Sequence, residues 1–304
     1  MSKQNFPGEY EIIPNESSIV GDIFLNRFDT TWHHRRKRDN PEQRVWSLIE
    51  GEQAEDDGLV SYVYNDEYFR SDNFTNVHNS RHILFAGCSE TEGQGGNLGD
   101  AWGKILLDKI NQSQKTSGYY SIAKAGYGWQ KVIAQLRVYI DRYGKPDNLF
   151  IILPNMGRSI EWSKEQSNWY ARQEHPNFYS DNKMEFEENI YAGKLSPEKY
   201  KKIFLDFVIS WRLFEDFCNA SGIKLLWGTW SEIDNYNVGK LRLFKNFVSL
   251  NQEDLLQNID RYRKDAKLID GDIKKRDGHH GRLFHEYWAD LILQEATDRG
   301  FLND

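Results

Sequence analysis

Residues 81–93 read Arg-His-Ile-Leu-Phe-Ala-Gly-Cys-Ser-Glu-Thr-Glu-Gly. Ile83 to Ala86 is an apolar run of buried-strand length, and Gly87 ends it before a polar turn. Beyond that turn the apolar period changes. Leu98, Trp102, Ile105, Leu106 and Ile110 recur at helical spacing, which predicts a helix over 98–112 with one apolar face. The same alternation then repeats along the chain. Tyr119 to Ala123 reads as a strand closed by Gly126 and Gly128. Val132, Ile133, Leu136, Ile140 and Tyr143 form the stripe of a helix over 129–143, ended by Gly144 and Pro146. Leu149 to Leu153 is the most apolar strand. Residues 197–220 make a long helix with Phe204, Phe207, Val208, Trp211, Phe214 and Phe217 on its inner face. Ile223 to Trp227 is a fourth strand, and a last helix covers 282–298. Strands separated by helices of this length imply an α/β fold with a parallel sheet covered on both faces.

Upstream of this pattern, residues 1–80 are rich in Asn, Asp, Arg and Glu, with short apolar pieces such as Ile19–Val20 and the alternating Val60, Tyr62 and Tyr64. They predict an N-terminal extension of loops and edge strands laid on a larger domain over 81–304. The run His33-His34-Arg35-Arg36-Lys37-Arg38 reads as a solvated loop, with an anionic contact as the alternative.

Bulk properties narrow the function classes. The chain has 304 residues, 39 basic against 46 acidic side chains and a formal charge of −7, so nucleic-acid binding through net charge is not expected. No apolar run approaches the ~18 residues that would span a bilayer. Met1 to Tyr10 is polar and does not read as a secretory leader, which implies a cytoplasmic location. Two cysteines, Cys88 and Cys218, cannot build a disulfide framework.

Chemistry belongs on the loops that follow the strands. The first presents Ser89, whose hydroxyl can project at the sheet edge and whose amide can face negative charge; a serine there also serves as a cap or turn former. Ala125-Gly126-Tyr127-Gly128 lets backbone N–H groups approach a ligand. Leu153-Pro154-Asn155-Met156 carries an amide side chain directly after a buried strand. Asp277-Gly278-His279-His280-Gly281 precedes the last helix. Serine needs a base at neutral pH, imidazole is one, and a carboxylate on the other ring nitrogen fixes its tautomer. Competing templates fail. Neither Gly93-x-Gly95 nor Gly126-x-Gly128 completes a dinucleotide fingerprint, no Gly-Lys-Ser/Thr exists, and Thr91 stands where a nucleophile elbow needs glycine. Asp277, His279, His280 and His285 lack metal-ligand spacing, so no metal or other cofactor is expected.

Taken in order, these four loops resemble the SGNH hydrolases, also called the GDSL esterase/lipase family, over about residues 81–298. Gly87-Cys88-Ser89 is similar to the family's Gly-Asp-Ser block, which makes Ser89 the implied nucleophile and its amide an oxyanion donor. Gly126 and Asn155 fall where the family has its other two donors. Asp277 and His280 match Asp-x-x-His, which implies Asp277 as orienter and His280 as base. Asn65-Asp66-Glu67-Tyr68-Phe69-Arg70 resembles an Asn-x-x-Gly-Phe-Arg segment ahead of the nucleophile block in some relatives. The resemblance implies a three-layer αβα sandwich with a flavodoxin-like, five-stranded parallel sheet. Cys88 replaces an Asp, and Leu153-Pro154-Asn155-Met156 replaces Gly-x-Asn-Asp, which leaves substrate class open. The Gly-Cys-Ser form is similar to bacterial and bacteriophage sequences.

About forty residues between Asn155 and the long helix show no clear periodicity and carry Trp162, Trp169, Tyr170, His175, Phe178 and Tyr179. A loop of this length reads as a cover for the pocket. Trp227 and Trp230 end the next strand at the same edge. These aromatics suit sugar rings or acyl chains, and they also suit packing of the loop. The expected activity is hydrolysis of carboxylic esters, with an acylated small molecule or glycan as partner and O-acetyl groups preferred. The alternatives are an O-acyltransferase, or a non-catalytic glycan-binding or virion module on the same fold.

Overall fold

A computed structural model describes residues 43–47, 59–65, 67, 69–75, 81–94, 96–112, 118–163, 168–176, 193–195, 197–250 and 280–303, some strand and helix residues by backbone alone. Ile19–Val20, the basic run at 33–38, and the segment with Asp277 and His279 lie outside the described residues.

The centre is a parallel sheet of four strands, β3 (Ile83–Gly87), β4 (Tyr120–Ser121), β5 (Asn148–Leu153) and β9 (Lys224–Thr229), in the order β4-β3-β5-β9. Beyond β9, Phe247 makes a single parallel bridge to Trp227. Among the described residues the expected five-stranded sheet is therefore four strands and one bridge in the fifth position. The order is that of flavodoxin-like sheets, and its switch point lies between β3 and β5.

Apolar residues fill both faces of β3, β5 and β9, as a sheet covered on two sides requires. Leu84, Ala86, Leu149, Ile151, Leu153, Leu225 and Trp227 face one core cluster. That cluster is closed by α3 (Trp129–Tyr143) through Val132 and Leu136, and by α4 (Pro197–Ala220) through Phe207 and Trp211. Ile83, Phe85, Phe150, Ile152 and Leu226 face the other cluster. It is closed by α2 (Trp102–Asn111) and by α6 (Arg282–Asp298), whose Phe284, Trp288 and Ile292 are buried. The result is the expected three-layer α/β sandwich. Among the described residues, no helix is long and apolar enough to cross a membrane.

Two further helices complete the described set. α1 (Ser89–Glu92) is a single turn directly after β3. α5 (Glu232–Leu241) follows β9, and the Ser231 hydroxyl at its N-cap accepts from the Asp234 amide.

The stretch expected as an aperiodic loop has strand structure. β6 (Arg158–Ser163) and β7 (Asn168–Pro176) pair antiparallel, with Trp162 opposite Trp169 and Glu161 opposite Tyr170. β8 (Gly193–Leu195) then pairs parallel to β7. Cross-strand pairing supplies the order that local periodicity did not advertise. Upstream, β1 (Gln43–Ser47) and β2 (Leu59–Val63) form an antiparallel pair within the extension.

Candidate active site

The aligned carboxyl ends of the strands form the edge where the sequence places its chemistry. Gly87 stands opposite Ile152, and Leu153 opposite Thr229, so Ser89, Asn155 and Trp230 all follow their strands at the same edge of the sheet. The bend out of β3 demands glycine at position 87. Its φ is +153°, and a Cβ there would lie 2.2 Å from Thr91 Oγ1 and 2.4 Å from Ile152 O. The chain then turns at once into α1, whose first residue is Ser89. The first N–H of a helix has no intrahelical acceptor, so the Ser89 amide is a donor in search of a partner. Its hydroxyl has no hydrogen-bond partner among the described residues, and the residue is 7% exposed.

Buried polar contacts fix α1 from three sides. Arg70, itself buried, donates from Nη1 to Glu92 O at 3.3 Å and to Gly93 O at 2.6 Å, satisfying carbonyls at the helix end. Thr91 Oγ1 accepts from Trp102 Nε1 at 3.2 Å, tying α1 to α2. Glu92 Oε2 accepts the Ala125 amide at 2.7 Å, and the Tyr64 hydroxyl donates to Oε1 at 3.3 Å. Tyr64 and Arg70 thus brace the turn that carries Ser89. Within the Asn65–Arg70 segment, Asn65 Oδ1 accepts the amides of Glu67 and Phe69 at 3.0 Å each.

Through Glu92 the same helix anchors the loop that holds Gly126. Tyr127 N–H donates to Lys124 O, and Gly126 sits between them at φ +84°, as a type II turn requires. A Cβ on Gly126 would meet nothing within 4 Å. The residue therefore faces open space, and its amide has no partner among the described residues.

Asn155 follows β5. Its Oδ1 accepts the Gly157 amide at 2.7 Å, which settles the orientation of the side-chain amide by chemistry, since only oxygen can accept. Nδ2 is then the outward end, with no partner among the described residues. The loop is pinned on its far side by buried Asp234, whose Oδ2 accepts the Met156 amide at 2.8 Å.

His280 enters from the start of α6. Its ring stacks on Phe284 at 3.8 Å between centroids and 18° between planes, with Trp230 edge-on at 6.2 Å. Nδ1 lies 3.0 Å from Glu90 Oε1, and the backbone N–H of His280 donates to Glu90 Oε2 at 3.4 Å. Nε2 has no partner among the described residues, and His280 and Ser89 share no hydrogen bond there. Asp277, the expected orienter, lies outside the described residues.

The solved structures that the chain resembles include the following two. One is an acetyl xylan esterase, at 12% identity and a TM-score of 0.39, covering 70% of this chain and 98% of its own. The other is the YxiM protein of Bacillus subtilis, at 14% identity and a TM-score of 0.40, covering 83% of this chain and 65% of its own. No protein-family model matches the sequence, and no curated protein does.

The aromatic residues proposed for substrate divide into three groups. Trp227 is fully buried, its Nε1 donating to Glu215 Oε1 at 2.7 Å, so its ring belongs to the core and not to a substrate face. Trp230 stands beside the site, with Nε1 donating to Cys88 Sγ at 3.4 Å. Trp162, Trp169 and Tyr170 are described by backbone alone, on the β6–β7 pair. Cys88 is fully buried, and that burial pushes its thiol pKa up, with nearby Arg158 offsetting part of the shift. A thiol held neutral in this way is a poor nucleophile.

Three contributors were not read from the sequence as site residues. Glu90 and Glu92 lie in what reads as a polar turn, and their partners lie 190 and 33 residues away. Arg70 had a signal in the Asn65–Arg70 segment, but nothing that showed its target.

Proposed function

We propose that the protein is a serine esterase that hydrolyses carboxylic esters, O-acetyl groups on glycans among them. One observation carries the reading. At the switch point of a flavodoxin-like sheet, a serine at a helix start is followed by a carboxylate that grips a histidine through Nδ1.

A carboxylate on Nδ1 favours the tautomer with its proton there, which leaves the Nε2 lone pair to act as base. Ser89 Oγ attacks the ester carbonyl as His280 Nε2 takes its proton. The C–O bond to the alcohol breaks, and the proton passes to the leaving oxygen. Water then attacks the acyl-enzyme, gives a proton to Nε2, and the carboxylic acid departs as Ser89 recovers its hydrogen. Charge on the carbonyl oxygen in both steps would be met by the Ser89 and Gly126 amides and by Asn155 Nδ2, donors already fixed before substrate arrives. The sequence puts Asp277 forward as the carboxylate partner of His280. Trp230, beside His280, offers an aromatic edge at the pocket, and the β6–β7 arm carries more aromatic residues for a sugar ring.

Hydrolysis of p-nitrophenyl esters from acetate to octanoate by wild type and Ser89→Ala tests this reading. Turnover of the short esters by wild type and its loss in Ser89→Ala is expected. Equal rates in the two proteins would defeat it.

A further inference from the structure

We propose that Glu90, the residue after the nucleophile, is the carboxylate that positions His280, in the role that sequence order gives to Asp277. The proposal rests on the esterase reading and assigns one more residue to the same site.

Glu90 is 4% exposed, and a buried carboxylate requires donors around it. The structure supplies them on both oxygens. Oε1 lies 3.0 Å from His280 Nδ1, and Oε2 accepts the His280 backbone N–H at 3.4 Å, so ring and backbone are gripped together. His285 adds a third group. Its Nδ1 accepts the Trp102 amide at 3.3 Å, which obliges a neutral imidazole to carry its proton on Nε2. That nitrogen lies 3.8 Å from Glu90 Oε2, too far for a hydrogen bond but with its positive end toward the carboxylate. Glu90 therefore sits where a negative charge is surrounded by N–H groups.

The Nδ1 position has a single proton to give, and a single acceptor satisfies it. Among the described residues, Glu90 is the acceptor that meets it. Placement on the chain also favours Glu90. Ser89 and Glu90 are consecutive residues of one short helix that is itself held by Arg70, Thr91 and Glu92. Nucleophile and orienter thus move as one piece, and stacking on Phe284 fixes the plane of the ring between them. In the reaction Glu90 remains ionised. It stabilises the imidazolium formed when Nε2 takes the serine proton and loses nothing itself.

The test compares full-length wild type, Glu90→Gln, Asp277→Asn and Ser89→Ala. Each is measured for melting temperature, for kcat and KM on p-nitrophenyl acetate, and for the downfield proton resonance of a carboxylate-bound His280 Nδ1–H. We expect Glu90→Gln to lower kcat by roughly 10³–10⁴-fold with KM little changed, as loss of an orienting carboxylate does elsewhere. Its downfield resonance should vanish, while Asp277→Asn keeps the resonance. A fall in kcat for Asp277→Asn as large as that for Glu90→Gln, or loss of the resonance in Asp277→Asn, would overturn the proposal. If Glu90→Gln does not fold, the resonance in Asp277→Asn decides alone: persistence supports Glu90 and disappearance removes it. Failure of the esterase reading looks different. Wild type and Ser89→Ala would then be equally inactive on esters, while the resonance would still report whether Glu90 holds His280.

Discussion

An observed contact of Asn155 and its proposed role can be separated by a pair of substitutions. Its Oδ1 satisfies the buried Gly157 amide, and its Nδ2 is the donor that the proposed reaction offers to the oxyanion. Asn155→Ala removes both. An amide left without its acceptor costs about 1–3 kcal/mol, which for a domain of this size lowers Tm by roughly 2–10 °C. Loss of one preorganised oxyanion donor lowers kcat by about 10²–10³-fold, or roughly 3–4 kcal/mol, with little change in KM. Asn155→Asp keeps the acceptor for Gly157 and replaces the donor by an oxygen. It should melt closer to wild type than the alanine variant does, yet turn over p-nitrophenyl acetate no faster than that variant. Thermal melts and initial rates on the same preparations read both effects. A well-folded Asn155→Asp with full kcat would refute the donor role and leave Asn155 as a loop brace only.

Neighbouring contacts give further expectations. Gly126→Ala places a side chain at φ +84° without a clash, so its cost is the left-handed backbone alone, about 1–2 kcal/mol, read as a Tm drop of roughly 2–8 °C. Arg70→Ala strips two buried carbonyls of their donor at the end of α1 and should lower both denaturation midpoint and kcat, because that helix carries Ser89. Unchanged kcat in a destabilised Arg70→Ala would show that α1 holds its geometry without the guanidinium. Burial pushes the Glu215 carboxyl pKa above its ordinary value of 4.5, so the folded state binds a proton that the unfolded state releases, and wild type loses stability as pH rises through that window. Glu215→Gln keeps an acceptor for Trp227 and lacks this slope. Its Tm relative to wild type should therefore climb from pH 4.5 upward, and a pH-independent difference would contradict the assignment.

The sheet and its long helices were legible because their signals are local. The helices at 129–143, 197–220 and 282–298 have the bounds that apolar spacing and terminal glycines predict. β5, buried on both faces, declared itself as an unbroken apolar run. Strand β9 is shifted by a residue or two, since Thr229 continues the ladder where composition turns polar. α5 escaped notice because Asn235, Asn237 and Gly239 are weak helix formers, although Ser231 followed by Asp234 was a readable start signal. The β6–β7 pair is held by cross-strand partners, and no single strand of it carries enough alternation to be seen alone. At the site, Ser89, Gly126, Asn155 and His280 could be nominated because each follows a strand or precedes a helix. Glu90 could not, since a contact between residues 90 and 280 exists only once the sheet has brought α1 and α6 together. Trp227 went the other way. Its place at a strand end suggested a pocket wall, but the ladder runs on past it and Glu215 draws its ring into the core.

The central claim is that Ser89 is a nucleophile activated by His280. The most direct measurement treats wild type, Ser89→Ala and His280→Ala with a fluorophosphonate and maps the modified peptide by mass spectrometry. A serine activated by a neighbouring base attacks phosphorus, expels fluoride and keeps the phosphonyl group. We predict one adduct per wild-type chain, on Ser89, with neither variant labelled. An adduct on another residue, or a folded wild type that hydrolyses p-nitrophenyl acetate yet leaves Ser89 unmodified, would contradict the account.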